Sequence, residues 1–183
     1  MAFPHYHQLG LKDCGPSCIK MVAQYFGRNY NIDYLREKSH IIKTGVSMLG
    51  VSEAAEAIGF KTIGVKIDVE KLKEVAQSHP SIIHWDNNHF VVLYDYKRKW
   101  FGKNKFFIAD PAKELLQLTE QELIEHWAIV SDSNVDRLLV DKSKSEEDST
   151  NQLITNKPIN QPQGYALVLE PTPDFFSRSE EHT

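Results

Sequence analysis

The feature that most constrains this fold is a change of hydrophobic pattern near residue 60. Before it, apolar residues recur at three- and four-residue intervals, as they do along one face of a helix. After it come short runs rich in aromatic and β-branched residues, which favour strands, separated by turn residues. The order predicts an α+β chain, with a mostly helical first third followed by a strand-rich part.

Turn and capping residues divide the helical third into segments. Pro16 suits the first turn of a helix, where its missing N–H is not needed, and Gly27 is a suitable stop. Asn31 can cap a second helix that runs to about Ser39. Ser47 can cap a third helix that ends at about residue 59.

The strand-rich part contains predicted strands at 62–67, 81–85, 89–96, 105–109 and 165–170. A short helix is expected over 69–76, and the Thr-Glu-Gln-Glu sequence from Thr119 matches a capping box that opens another helix. Pro171 and Pro173 should close off the last strand.

We expect one domain over residues 1–176, followed by a tail at 177–183. Residues 131–163 are polar, and 142–150 are dense in Lys, Ser, Glu and Asp. Such a composition buries too little apolar area to offset the entropy of ordering. The segment 131–163 is therefore expected to be a mobile insertion within the domain.

Composition and charge exclude several classes of protein. The formal net charge of −4 does not indicate a basic surface for nucleic acid, and the apolar runs are too short to span a bilayer. The first residues are polar where a signal peptide would be apolar, so a cytoplasmic location is expected. The two cysteines should be reduced thiols, and no metal or cofactor is expected because the histidines and cysteines lack ligand spacing.

Cys14 is a candidate nucleophile because it stands at the predicted start of the first helix. The helix dipole and free N–H groups there favour an anion, and the Cys14 N–H could help to hold an oxyanion. Gln8, six residues upstream, could donate a second hydrogen bond to that oxyanion. Taken singly, Cys14 is better explained as a small packed residue, and Gln8 as a solvated polar one.

His89 and Asp110 are the candidate partners of Cys14. His89 follows a turn and opens a strongly apolar strand, and Asp110 follows the next strand along the chain. The aspartate could accept a hydrogen bond from the imidazole and set its tautomer, although Asp-Pro also favours a simple turn. His84, on the preceding strand, is the main competitor for the role of base.

Four segments resemble one known family, the double-glycine leader peptidases. These are the N-terminal processing domains of peptidase-containing ABC transporters, which mature and export bacteriocins. Residues 8–18, Gln-Leu-Gly-Leu-Lys-Asp-Cys-Gly-Pro-Ser-Cys, are similar to the family's cysteine signature. Residues 89–92 resemble its histidine motif, 108–112 its aspartate-proline motif and 164–172 the end of its domain.

The resemblance implies a papain-like fold, in which a helical lobe bearing the cysteine packs on an antiparallel sheet. It implies that Cys14 attacks the carbonyl after a Gly-Gly pair, with His89 as base, Asp110 orienting His89, and Gln8 in the oxyanion hole. The substrate would be a precursor peptide with a double-glycine leader. The partners would be transmembrane and nucleotide-binding domains of an exporter, at the cytosolic face of the bacterial inner membrane.

This sequence departs from the family in two ways. The stretch 131–163 is longer than the family usually has before its last strand. The chain also has neither membrane-spanning helices nor a GxxxxGK[ST] phosphate loop, so we expect an excised domain or a free-standing enzyme.

Two other functions remain open from sequence. One is a substrate-docking domain without catalysis, against which the presence of Cys14 argues. The other is a different papain-fold peptidase or an acyltransferase, which the fold alone does not exclude.

Overall fold

A computed structural model describes residues 2–42, 45–129 and 161–177 of the chain. Its helices are α1 (Cys14–Tyr25), α2 (Ile32–Lys38), α3 (Met48–Ala57), α4 (Val69–Ser78), α5 (Glu120–Trp127) and α6 (Pro173–Ser177). Its strands are β1 (Phe60–Asp68), β2 (Ser81–Trp85), β3 (His89–Lys97), β4 (Lys105–Ala109), β5 (Leu115–Leu118) and β6 (Gln163–Pro171).

The predicted helix starts are confirmed by their capping hydrogen bonds. The Asn31 side chain accepts from the N–H of Asp33, and the Ser47 side chain accepts from the N–H of Gly50. Thr119 and Glu122 form a complete capping box at α5. Local side-chain chemistry thus determines where these helices begin.

The strands form a six-stranded antiparallel sheet in the order β1-β6-β2-β3-β4-β5. The turn between β2 and β3 places Asp86 and Asn87 at φ values of 48° and 60°, which Asp and Asn tolerate better than most residues. In the hairpin that follows the turn, Trp85 pairs with His89. The turn therefore sets the register in which His89 opens β3.

Both faces of the sheet are buried, each under a different set of helices. On one face, α1 and α3 pack with Phe60 and α6 over sheet residues that include Ile82, Phe90, Val92, Ala109, Leu167 and Leu169. On the other, α4 and α5 pack over Ile83, Trp85, Val91, Leu93, Phe106, Ile108 and Ala166. Burial on both faces explains why β2 and β3 are almost continuously apolar, although antiparallel strands commonly alternate.

The antiparallel arrangement also brings two chain positions to one edge of the sheet. β3 begins at His89 and β4 ends at Ala109, and these strands are neighbours that run in opposite directions. The start of β3 and the residue after β4, Asp110, must therefore lie close together.

Two elements were not predicted from the sequence. β5 pairs with β4 at the sheet edge, and α6 follows the last strand where Pro171 and Pro173 were expected only to close it off. β6 also begins at Gln163, so it includes the last residue of the predicted insertion. The remainder of that insertion to residue 160, and the tail beyond Ser177, lie outside the described residues. In the part of the chain that is described, no helix is long and apolar enough to cross a membrane.

Phe175 is expected to make α6 essential to the stability of the domain. Its ring is fully buried and lies 4.5 Å from the ring of Phe60, centroid to centroid, whereas Phe176 is about half exposed. Phe175→Ala should lower the free energy of unfolding by about 3–5 kcal/mol through lost burial and a residual cavity. Phe176→Ala, the matched control, should change it by less than about 1 kcal/mol. Denaturant titration measures both values, and equal losses would contradict the packing described for α6.

Candidate active site

Cys14 is the first residue of α1 and is buried against the helical lobe. The first N–H groups of a helix have no intrahelical partner, so its sulfur lies where an anion is stabilised. The next residue, Gly15, has no room for a side chain: a Cβ would lie 2.6 Å from Cγ1 of Val46 and 2.7 Å from Cγ2 of Val51. The glycine lets the start of α1 pack closely against these two side chains.

A partly buried ion pair holds the residue before the cysteine. Arg36 of α2 donates to Asp13 through two nitrogens, with Nη2–Oδ2 at 2.6 Å and Nε–Oδ1 at 3.0 Å. Its hydrogen bond to Asp13 raises the pKa of Arg36. Because this bidentate geometry fixes orientation as well as distance, it ties α2 to the start of α1.

The start of α1 is brought to the sheet by a second contact one turn further along. The thiol of Cys18 donates to the backbone oxygen of Phe90, at a sulfur–oxygen distance of 3.3 Å. Cys14 precedes Cys18 by about one helical turn, and His89 precedes Phe90 by one residue. The contact therefore aligns the start of α1 with the start of β3.

His89 and Asp110 form a short hydrogen bond at the sheet edge. His89 Nε2 lies 2.8 Å from Asp110 Oδ1, and that same oxygen accepts from the N–H of Ala112 at 2.9 Å. Burial on its own would raise the pKa of Asp110, but the hydrogen bonds from His89 and Ala112 lower it below its ordinary value. Asp110 is therefore an anion at neutral pH and orients the imidazole.

The side chain of Cys14 lies close enough to His89 to act on the charge of its ring. Burial would lower the pKa of His89, but its hydrogen bond to Asp110 and the influence of Cys14 outweigh burial and raise the pKa to about 9. The ring therefore carries a proton at neutral pH. Thiol, imidazole and carboxylate in this order can form a thiolate–imidazolium pair, which is what covalent catalysis by cysteine needs.

The two competing residues lie in different surroundings. Burial, followed by the charges of Cys14 and Asp110, raises the pKa of the Cys18 thiol, which disfavours its reactive thiolate. Burial, followed by the charge of His89, lowers the pKa of His84. His84 contacts the ring of Phe90, and within the described chain it makes no hydrogen bond to Cys14 or Asp110.

Gln8 is tied by its backbone to the loop that follows Asp110. Its N–H donates to the carbonyl of Pro111 at 2.8 Å, and His5 Nε2 lies 2.9 Å from the carbonyl oxygen of Asp110. Gln8 Oε1 is buried and has no hydrogen-bond partner among the residues described. The structure thus brings Gln8 to the Asp110 side of the site, and its part in an oxyanion hole stays a prediction.

Arg36 and His5 were not identified from the sequence as residues of this site. The only sequence signal for Arg36 was its helical spacing from Asp33, with which it also forms a surface ion pair at 2.5 Å. His5 was only one of eight histidines. Both contacts depend on how distant segments pack, which no local pattern encodes.

Removing Arg36 should destabilise the protein by leaving the Asp13 carboxylate buried and unpaired. We expect Arg36→Met to lower the free energy of unfolding by about 2 kcal/mol, below the usual cost for a fully buried pair because the Arg36 side chain is 27% exposed. Asp33→Asn removes the exposed partner of the same arginine and should cost less than about 1 kcal/mol. Denaturant titration measures both losses in the free energy of unfolding. Equal losses would show that the Asp13–Arg36 pair stabilises the protein no more than the Asp33–Arg36 pair does.

The His89 ring should titrate far above an ordinary histidine. Its NMR resonances should move with a midpoint at about pH 9, because the charged ring is stabilised by Asp110 and Cys14. Asp110→Asn removes the negative partner, so the midpoint should fall. His84 provides the internal control, since its pKa is lowered. A His89 midpoint that is unchanged in Asp110→Asn would show that the carboxylate does not set the charge of the ring.

Residues 2–134 match the model of the Peptidase C39 family. The colicin V secretion/processing ATP-binding protein of Escherichia coli is 30% identical over 128 residues, which are 70% of this chain and 17% of that protein. The lactococcin-G-processing and transport ATP-binding protein of Lactococcus lactis subsp. lactis is 32% identical over 144 residues, 76% of this chain and 19% of that protein. The chain thus spans less than a fifth of the length of these relatives.

Solved structures show the same fold. A double glycine motif protease from an AMS/PCAT transporter, solved in complex with the leader peptide, is 25% identical with a TM-score of 0.65, covering 92% of this chain and 91% of that one. The peptidase domain of Streptococcus ComA is 24% identical with a TM-score of 0.65, covering 93% of this chain and all of that one. The mixed helical and antiparallel architecture is therefore the papain-like one that the motifs implied, and the chain belongs to the Peptidase C39 family.

Proposed function

We propose that this chain is a cysteine endopeptidase that cuts precursor peptides after a Gly-Gly pair, with Cys14, His89 and Asp110 as its catalytic residues. The observation that carries the proposal is the His89–Asp110 hydrogen bond, with the Cys14 side chain at the start of α1 close enough to act on the charge of the His89 ring. The double glycine motif protease to which the chain is similar supports the choice of substrate.

The first step is attack by the Cys14 sulfur on the carbonyl carbon of the second glycine. A sulfur–carbon bond forms, and the carbonyl oxygen becomes an oxyanion. The Cys14 N–H at the start of α1 and the side-chain amide of Gln8 donate to that oxygen. These donors stabilise charge that exists only in the tetrahedral state, so they lower the barrier rather than strengthen substrate binding.

His89 then supplies the proton that the leaving amine needs. The ring is protonated at neutral pH because its pKa is about 9, and the hydrogen bond from Nε2 to Asp110 fixes its orientation. The carbon–nitrogen bond breaks, the mature peptide leaves and a thioester to the leader remains. Neutral His89 next takes a proton from water, whose oxygen displaces the sulfur and releases the leader as a carboxylic acid.

The requirement for two glycines follows from exclusion rather than attraction. A narrow passage over a buried sulfur rejects any residue with a side chain, while glycine passes without a clash. Cys14 is buried at the start of α1, as such steric selection needs. The leader itself needs a second contact, which an amphipathic helix on an apolar surface would supply.

The chain is proposed to act together with an exporter. The colicin V and lactococcin G proteins are ATP-binding proteins of processing and of secretion or transport, and this chain aligns with less than a fifth of each. We assign it the processing step for a bacteriocin-like peptide at the cytosolic face of the inner membrane. The transmembrane and nucleotide-binding domains of an ABC exporter would carry the cleaved peptide onward.

Cleavage of a synthetic precursor with a Gly-Gly site, followed by mass spectrometry, tests the proposal. The protein should produce two fragments that separate directly after the second glycine. Cys14→Ala should abolish this cleavage while the protein remains folded, because no other thiolate is available at the site. Cys18→Ser, the matched control one turn along the same helix, keeps a hydrogen-bond donor for the Phe90 carbonyl and should keep most of the activity.

Other outcomes would favour the other functions. Binding of the precursor without cleavage would identify a substrate-docking domain. Turnover of unrelated acyl substrates, with the Gly-Gly precursor left intact, would identify another papain-fold activity. Loss of activity in Cys18→Ser but not in Cys14→Ala would show that the nucleophile has been assigned to the wrong residue.

A further inference from the structure

The turn between β3 and β4 has a composition unlike the rest of the surface. Residues 97–105, Lys-Arg-Lys-Trp-Phe-Gly-Lys-Asn-Lys, hold five cations and no acidic residue. The whole chain has a formal charge of −4, so the remainder carries −9. We call residues 97–105 the basic turn.

Two adjacent aromatic side chains project from the basic turn into solvent. Trp100 is 93% exposed and Phe101 is 85% exposed, whereas the other two tryptophans, Trp85 and Trp127, are buried. Gly102 follows at a φ of 95°, a left-handed conformation that glycine adopts without strain and that turns the chain back toward β4. Exposing two large apolar side chains at the tip of a hairpin gains nothing for the fold.

The charges of the basic turn also work against the fold. Lys97 and Lys105 are direct partners across the hairpin, and like charges in that position are destabilising. Lys97 is partly compensated by Asp95, at 3.3 Å, and Glu122 lies near Lys103 and Lys105.

The outermost cations of the basic turn have no such compensation. Arg98 and Lys99, beside the aromatic pair, form no ion pair within the described chain. A cluster of positive charges that destabilises the isolated domain indicates a negatively charged binding partner.

We propose that the basic turn binds the surface of an anionic lipid bilayer. Trp and Phe prefer the interface between headgroups and acyl chains, and nearby Lys and Arg are attracted to anionic headgroups. The basic turn supplies both the aromatic rings and the cations in one short, protruding segment, and binding to a bilayer surface needs no groove. A protein partner would need a pocket for each ring, and a nucleic acid would need cations spread along a path, which an otherwise acidic chain does not offer.

The position of the basic turn gives this docking a defined geometry. It lies at the far end of β3 from His89, eight residue steps away, or about 26 Å along the strand. A domain resting on the bilayer through Trp100 and Phe101 would hold Cys14 and His89 away from the lipid surface. The catalytic edge of the sheet would stay open to a peptide from solution.

Vesicle binding tests the proposal through intrinsic fluorescence. With Trp85 and Trp127 buried, a change in emission reports mainly on Trp100. Vesicles of mixed phosphatidylcholine and phosphatidylglycerol should shift the emission to the blue and sediment with the protein. Vesicles of phosphatidylcholine alone should do neither, and added salt should reverse the binding.

Variants separate the two parts of the basic turn by co-sedimentation. Each Lys or Arg near an anionic surface strengthens binding roughly fivefold, so Lys97→Gln, Arg98→Gln and Lys99→Gln together should weaken it about a hundredfold. Phe101→Ser should weaken it about tenfold or more while keeping Trp100 as reporter. The matched control removes the same number of charges elsewhere and should keep most of the vesicle binding. It combines Lys38→Gln, Lys61→Gln and Lys71→Gln.

Several results would overturn the proposal. The first is the absence of binding or of a blue shift with phosphatidylglycerol vesicles. Equal losses in the control and basic-turn variants would show attraction by general charge, and unchanged binding by Phe101→Ser would exclude insertion of the ring. Tighter binding to a single-stranded oligonucleotide than to the vesicles would identify a nucleic-acid surface instead. All of these readouts are independent of peptide cleavage, so they fail or succeed separately from the proposed enzymatic function.

Discussion

The contact between α1 and β3 is the constraint on which the site depends. One helix must present a sulfur to a ring that belongs to a strand of another part of the chain. The Cys18–Phe90 hydrogen bond sets the helix along the strand, the missing side chain of Gly15 lets the helix start pack closely, and the Asp13–Arg36 pair holds its first residues. None of these contacts takes part in the chemistry, yet together they decide the distance over which the chemistry occurs.

The sheet contributes the second half of the arrangement through its connectivity. Because β3 and β4 are antiparallel neighbours, strand pairing alone places the start of β3 beside the end of β4. A tight turn at Asp86 and Asn87 sets which residue opens β3. The imidazole and the carboxylate thus converge through hairpin geometry, whereas the sulfur reaches them only through packing between layers.

This difference explains what the sequence could and could not predict. The helix starts at Asn31, Ser47 and Thr119 were predictable because each is set by a side chain bonding to its own neighbouring backbone. β5 has only four residues, and its pairing with β4 is a tertiary contact. The short helix α6 was missed because its stability comes from the burial of Phe175 against Phe60, not from local propensity.

The same distinction applies to the candidate site. Cys14, His89 and Asp110 could be proposed from the sequence because each stands at or directly after the end of an element, where a side chain can project toward a neighbour. The sequence gives no comparable signal for Arg36 and His5. Arg36 binds Asp13, the residue before Cys14, and His5 contacts the backbone of Asp110. The supporting contacts of a site are therefore harder to predict than the reacting groups, because they depend on the whole of the packing.

The two separate cores on either side of the sheet divide the tasks of the molecule. Cys14 belongs to the core formed with α1 and α3, and the core under α4 and α5 contains none of the proposed catalytic groups. Substitutions in the second core, away from Trp85 that pairs with His89, should therefore change the melting temperature more than the position of the sulfur. An engineer seeking a more heat-resistant enzyme would begin on the other face of the sheet, among the side chains packed under α4 and α5.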